Sequence, residues 1–239
     1  MMAKLNYCWR LAITGLCFFG FSAGGALLSV LVFPPLYLFT RDPGRRHQWA
    51  QWFIHKFFAL MVAVMRHSGT MRLEVIGVER LQDARHVLVL ANHPTIIDIV
   101  VLLSLMPRAN CIVKSDFWSN PFIGGVVRTA GYISNSTPEQ LIDDCVHALH
   151  AGYPLIVFPE GTRSRPDRPL KFLRGAAHIA LKSDMPIVPV LLHCDPPTLM
   201  KGSRWYEIPP RPFRLRVVVQ PPLQAAALAD THNTPVITA

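Results

Sequence analysis

The 239 residues suffice for one sizeable core with an appendage but are short for two catalytic domains. Hydrophobic residues make up 51% and charged residues only 16%, against roughly 25% charged in an ordinary soluble domain, so apolar surface facing lipid is expected. The 24 Lys+Arg against 15 Asp+Glu leave a formal charge of +9, which suits anionic lipid headgroups or phosphorylated substrates; without a basic run longer than two, a zinc finger or an RNA-binding aromatic signature, nucleic acid is set aside as a partner.

In chain order, the first feature is a stretch without charge from Leu11 to Phe39. As a helix, residues 11–33 would span roughly 34 Å, enough to cross a bilayer. Pro34-Pro35 is expected to end or sharply bend that helix, because proline lacks the N–H and clashes with the preceding turn. A second apolar helix is expected over residues 48–65, carrying Trp49, Trp52, Phe53, Phe57, Phe58 and Met61, interrupted only by His55 and Lys56. Two arrangements fit: a transmembrane anchor followed by an interfacial helix, or a hairpin embedded in one leaflet. Lys4 and Arg10 before the stretch and Arg41, Arg45 and Arg46 after it give no clear positive-inside direction. A cleaved leader is disfavoured by the length of the run and the lack of a small-x-small site. Residues 1–68 are therefore read as N-terminal membrane-embedded helices, 69–224 as a catalytic domain and 225–239 as a flexible tail.

After residue 70 short β-branched runs alternate with helical stretches, the pattern of an α/β fold with a mostly parallel sheet flanked by helices. Strands are predicted over residues 72–75, 86–91, 111–114, 131–134, 155–158, 187–192 and 214–219. The clearest helix starts at Thr137, with Pro138 in its first turn and Gln140 placed to complete a capping box, and stops at Gly152. Leu141, Cys145, Ala148 and Leu149 follow its period and form the face that packs on the sheet. The cysteines at 8, 17, 111, 145 and 194 are odd in number and lack C-x-x-C spacing, so neither a disulfide framework nor a zinc site is indicated and a reducing compartment fits best.

Two strand ends carry the chemistry. The run 86–91 leads directly into Asn92-His93-Pro94-Thr95-Ile96-Ile97-Asp98, a turn entering a helix. In open parallel sheets ligands sit beyond the carboxyl ends of strands, where a histidine is reachable by substrate. His93 could accept a hydroxyl proton, with Asp98 fixing its tautomer. Five residues along a helix rotate by about 140°, so the pair does not share a helix face and His93 has to lean over from the turn. Asp98 could equally be the fourth residue of a Thr95-x-x-Asp98 capping box. The run 155–158 supplies a second turn, Pro159-Glu160-Gly161-Thr162-Arg163-Ser164, followed by Arg165, Arg168, Lys171 and Arg174. Gly161 permits close backbone approach, and Arg163 offers a planar fork for phosphate or carboxylate. Two such turns on separate strands favour one shared cleft over a cap and a solvated loop.

Asn92-His93-x4-Asp98 together with Phe158-Pro159-Glu160-Gly161-Thr162-Arg163-Ser164 resembles the glycerolipid acyltransferase family. Lys114-Ser115-Asp116-Phe117 with Pro121 and Gly124 resembles its second block, and Ile187-Val188-Pro189-Val190 its fourth, so the likeness covers roughly residues 86 to 193. The resemblance implies the glycerolipid acyltransferase fold. It implies transfer of a fatty acyl group from acyl-CoA or acyl carrier protein to a lysophospholipid hydroxyl, as with 1-acylglycerol-3-phosphate, without metal or bound cofactor. His93 would be the general base and Asp98 its orienter. Glu160, Gly161, Thr162 and Arg163 would shape the acceptor site, with Arg163 the phosphate ligand, and Lys114 would hold the acceptor or the developing oxyanion. Partners would be membrane lipids, the lysolipid acceptor and the acyl carrier. The expected location is the inner (cytoplasmic) membrane with the catalytic domain facing the cytoplasm.

One departure loosens the substrate. The family commonly carries an Arg after the Gly-x-Ile strand of the second block, whereas Gly131-Tyr132-Ile133 runs here into Ser134-Asn135-Ser136. Arg128 or Arg174 could replace that cation, or the acceptor could be a lyso-ornithine or polyene-type lipid. A silent membrane-binding protein that keeps the fold is the non-enzymatic alternative. The other nine histidines lack a motif, Cys111 and Cys194 read as small hydrophobes, and Trp118, Trp205 and Tyr206 read as packing residues.

Overall fold

The computed structural model describes residues 2–165 and 168–225, so the tail expected from 225 onward lies almost wholly outside the described residues. The chain opens with α1 (Met2–Leu27), a π-helical stretch (Leu28–Val32), α2 (Phe33–Phe39) and α3 (Pro43–His67). The catalytic part follows as β1 (Met71–Ile76), α4 (Glu79–Gln82), β2 (Leu88–Ala91), α5 (Ile97–Leu105), β3 (Asn110–Val113), α6 (Asp116–Ser119) and α7 (Gly124–Thr129). It ends with β4 (Ile133–Ser134), α8 (Pro138–His150), β5 (Leu155–Val157), α9 (Arg174–Ser183), β6 (Ile187–Asp195) and β7 (Phe213–Val219).

The strands form one sheet in the order β1-β7-β6-β2-β5-β3-β4. Neighbours are parallel except β6 and β7, which run antiparallel from Val190↔Val219 to Asp195↔Arg214. The mostly parallel α/β architecture expected from the sequence is therefore present. All three residues of the interior strand β5, beside the central β2, are buried, as a strand covered on both faces requires. Next to the edge strand β1, β7 alternates buried and less buried positions, the mark of a strand with one face open. Two apolar clusters occupy the two faces: one holds α5 and the inner face of α3, the other Cys145, Ala148 and Leu149 of α8 with Ile179 and Ala180 of α9.

All seven predicted strands exist, with shifted ends. The strand predicted from His86 begins at Leu88, because His86 itself has a left-handed backbone (φ 52°) and bonds through Nδ1 to Leu149 O at 3.0 Å. The strand predicted from Gly131 begins at Ile133. Helix α8 starts and stops where expected, yet Thr137 makes no side-chain cap bond, so the capping box does not form.

Of the two outcomes expected at Pro34-Pro35, an end or a sharp bend, the end does not occur. Helix continues to Phe39 because the prolines sit in the first turn of α2, where missing N–H groups cost least, and the wider π turn lies just ahead of them. Lys4–Phe39 is, among the described residues, one helix long and apolar enough to cross a membrane, with Leu16, Phe19, Leu31 and Leu38 exposed along it. Helix α3 runs well past the expected 48–65 and buries Ala50, Ile54, Val62 and Met65. The boundary expected at residue 68 falls at the end of α3, and the core is continuous across it.

Helix α1 is tied to the catalytic part by polar groups as well as by packing. The buried Arg10 guanidinium donates to Asn6 Oδ1, Pro209 O and Pro210 O, each at 2.8 Å. Trp9 Nε1 donates to Ser68 O at 2.9 Å, and Phe21 stacks on Phe58 of α3 with centroids 6.1 Å apart.

Candidate active site

Strand β2 ends at Ala91 and hands the chain to the His93 turn. Asn92 fixes that exit by extending the sheet with its side chain: its Nδ2 donates to Leu192 O at 2.8 Å and its Oδ1 accepts from Leu192 N at 2.7 Å. His93 leans over the start of α5, as the 140° offset demands, and its Nδ1 lies 2.9 Å from Asp98 Oδ2. That same Oδ2 accepts from Thr95 N at 2.7 Å, while Thr95 Oγ1 accepts from Ile97 N at 3.0 Å. Of the capping box that the sequence offered as the alternative to the dyad, only the Asp98 arm forms, since Thr95 Oγ1 does not take the Asp98 N–H, and that arm holds the carboxylate oriented for the imidazole.

Asp98 is fully buried and its Oδ1 has no hydrogen-bond partner among the described residues. Burial pushes its pKa above the ordinary carboxylate value; the hydrogen bonds from His93 and from the Thr95 N–H, with the His93 charge, pull the other way, and the Glu160 charge adds to the rise. With Nδ1 facing a carboxylate, Nδ1–H is the tautomer the geometry selects, leaving Nε2 as the acceptor. The His93 ring stacks on Phe158, centroids 4.0 Å apart and planes 16° from parallel. Phe158 leaves the predicted strand one residue early to make this contact.

Strand β5 delivers the second turn to the same place. Gly161 has φ 65°, a left-handed backbone that favours glycine, and a Cβ there would also oblige the Leu173 side chain, whose Cδ1 would lie 2.5 Å away, to move. Thr162 and Arg163 reach a cavity of about 680 Å³ that His93 also lines, a volume within the range of small-molecule sites. Arg163 Nη1 donates to Leu199 O at 3.0 Å and Met200 O at 3.1 Å. Burial lowers its pKa while the Asp98 charge raises it. Glu160, expected to shape the acceptor site, is not on the cavity wall: Oε1 accepts from His93 N at 2.9 Å and Oε2 from Ser164 Oγ at 2.7 Å.

The cavity walls are overwhelmingly apolar. Thr14, Cys17, Phe18 and Phe21 of α1 form one side, and Ile97 and Val100 of α5 another. The exposed Lys114 lines it from the end of β3, and Asn135 of the substituted Ser-Asn-Ser turn lines it too while accepting from Ser115 N at 3.0 Å. Neither Arg128 nor Arg174 reaches the cavity; the Arg128 guanidinium is bonded to Trp118 O. Lys201 does reach it, a cation that lies in a motif-free loop and that no sequence signal marks. Asn92, Phe158 and Ser164 also went unassigned in the sequence, although each sits inside a quoted motif. Burial pushes the thiols of Cys111, Cys145 and Cys194 up to about 12, so each is protonated near neutrality. Among the described residues no group of three or more His, Cys, Asp or Glu is placed to hold a metal ion.

A family model described as Acyltransferase matches residues 72–193. A 1-acyl-sn-glycerol-3-phosphate acyltransferase of Cocos nucifera is 34% identical over 110 residues, covering 43% of this chain and 36% of its own length. A chloroplastic 1-acyl-sn-glycerol-3-phosphate acyltransferase of Arabidopsis thaliana is 29% identical, covering 72% of this chain and 48% of its own length. The chain thus spans about half or less of these curated relatives. A crystal structure of the 1-acyl-sn-glycerophosphate acyltransferase from Thermotoga maritima has the same fold, with a TM-score of 0.71 at 22% identity over 94% of this chain and 88% of that one.

Proposed function

We propose, from the premise that the chain belongs to the acyltransferase family, that it transfers a fatty acyl group from a thioester donor to the hydroxyl of a membrane lysophospholipid such as 1-acylglycerol-3-phosphate. The observation that carries the reading is that His93, on the wall of an apolar cavity that the N-terminal helix also lines, is backed by the buried Asp98 at 2.9 Å. The acceptor hydroxyl gives its proton to His93 Nε2 as its oxygen attacks the thioester carbonyl. Asp98 stabilises the imidazolium through Nδ1, and collapse of the tetrahedral intermediate expels the thiolate, which takes the proton back from Nε2. Lys114 is the cation assigned to the developing oxyanion or the acceptor, and Arg163, with Lys201 on the same cavity, to the acceptor phosphate.

Acyl-CoA or acyl carrier protein is the donor, and no bound cofactor or metal takes part. The exposed apolar length of Lys4–Phe39 supports seating in the inner (cytoplasmic) membrane, with the catalytic domain on the cytoplasmic side where such thioesters are found. A second reading, acylation of a lyso-ornithine or polyene-type lipid, is favoured by the Ser134-Asn135-Ser136 turn that stands where a cation is common.

The test uses the full chain in detergent with acyl-CoA or acyl carrier protein, lysophosphatidate, lyso-ornithine lipid and an uncharged monoacylglycerol, comparing wild type with Arg163→Ala. Lysophosphatidate should be acylated, and Arg163→Ala should raise its KM about tenfold or more, the loss of one charge-assisted contact, while sparing an uncharged acceptor. Transfer to lyso-ornithine lipid alone would select the second reading. Equal loss on charged and uncharged acceptors would make Arg163 a structural residue of the Leu199–Met200 loop.

A further inference from the structure

We infer that Glu160 and Ser164 are positioning residues that clamp the main chain of His93, and that Glu160 does not contact the acceptor. The inference rests on the acyl-transfer reading for its kinetic consequence and on geometry for the clamp itself. Both polar groups of the His93 backbone are held from the second turn. Its N–H donates to Glu160 Oε1 at 2.9 Å, across 67 residues of sequence, and its C=O accepts from Ser164 N at 2.8 Å. Ser164 Oγ then donates to Glu160 Oε2 at 2.7 Å, closing a ring of hydrogen bonds around residue 93.

Both Glu160 oxygens are engaged within the protein, and Glu160 is absent from a cavity wall to which Gly161, Thr162 and Arg163 all contribute. A carboxylate pointed at a phosphorylated acceptor would also repel it. From the other side, the Asn92 amide bonds both polar groups of Leu192, so the His93 turn is pinned to β6 as well as to the turn after β5. Backbone N–H bonds to an ionised carboxylate are about twice as strong as neutral ones, which suits a fixing point rather than a mobile ligand. A general base has to be held within about 0.5 Å of its working position. The segment that carries the cavity cation Arg163 also carries the clamp, so acceptor binding and base placement share one turn.

Glu160→Gln, Glu160→Ala and wild type, each as the full chain, decide the matter. Gln keeps an oxygen for the His93 N–H and offers its NH2 to Ser164 Oγ, so kcat should stay within about threefold of wild type. Ala should lower kcat about 100-fold, the cost of a base misplaced by about 1 Å, with the acceptor KM nearly unchanged. Hydrogen exchange of the peptide spanning residues 92–98 reads the clamp without turnover: it should speed up in the Ala variant and remain slow in the Gln variant. A raised acceptor KM at unchanged kcat in Glu160→Ala would overturn the inference. So would a folded Gln variant slowed about 100-fold relative to wild type, which decides the case even if Ala fails to fold, or unchanged exchange in a folded Ala variant. A wild-type chain that acylates no acceptor, with the exchange pattern as expected, would defeat the acyl-transfer reading and leave the clamp standing.

Discussion

Asp98 presents one oxygen, Oδ2, to both His93 Nδ1 and Thr95 N, and buries the other without a partner. Burial outweighs those bonds and raises its pKa, so the folded state holds the proton more readily than the unfolded chain does. The folded state therefore binds more protons than the unfolded one between the unfolded value, about 3.9, and the raised folded value, and over that window stability declines as pH rises. Ionised Asp98 is a cost to folding that the active site retains for its chemistry. In Asp98→Asn that titration is gone. Melting curves should show the difference between variant and wild type moving in the variant's favour as pH rises above about 4, while activity falls about 10²–10⁴-fold. A difference that moves the other way would mean that the bonds from His93 and Thr95 outweigh burial. This geometry was half legible in the sequence. The spacing of Thr95, His93 and Asp98 allowed both a cap and a dyad, and only the positions of the side chains reveal that one oxygen serves both. The role of Glu160 was not legible, because its motif marks a turn and says nothing of which atoms face inward.

The helices and strands were legible in kind and less so in extent. Most of the seven strands are marked by β-branched runs, but the left-handed backbone at His86 and the departure of Phe158 toward His93 trim two of them. Strand order and the antiparallel pairing of β6 with β7 arise from contacts distant in sequence, which periodicity does not encode. The first helix shows the opposite failure: Pro34-Pro35 reads locally as a break, while a π turn ahead of α2 carries the helix past it to Phe39. Its exposed Leu16, Phe19, Leu31 and Leu38 give α1, the π-helical stretch and α2 a surface suited to lipid. If that surface is inserted, holding the protein to membranes does not depend on charge, despite the net +9. Membranes carrying the full chain should keep it through a wash in 1 M salt, where the Debye length is about 3 Å, and release it only to detergent. Release by salt alone would indicate electrostatic adsorption.

At the scale of the whole molecule, the cavity is a joint product of parts that sequence treats separately. Residues 72–193 match the family model, yet Thr14, Cys17, Phe18 and Phe21 of α1 complete the apolar wall, held in place by Arg10 on the Pro209 and Pro210 carbonyls. An apolar site with one oriented base suits a reaction between two chain-bearing substrates. His93 is the group to which the proton transfer is assigned. The most direct test of that assignment is the initial rate of acyl transfer from acyl-CoA to lysophosphatidate by the full chain in mixed micelles, wild type against His93→Ala, with folding checked by thermal melting. A folded variant slowed by about 10²–10⁴-fold is the predicted result, and a folded variant that matches the wild-type rate would contradict it.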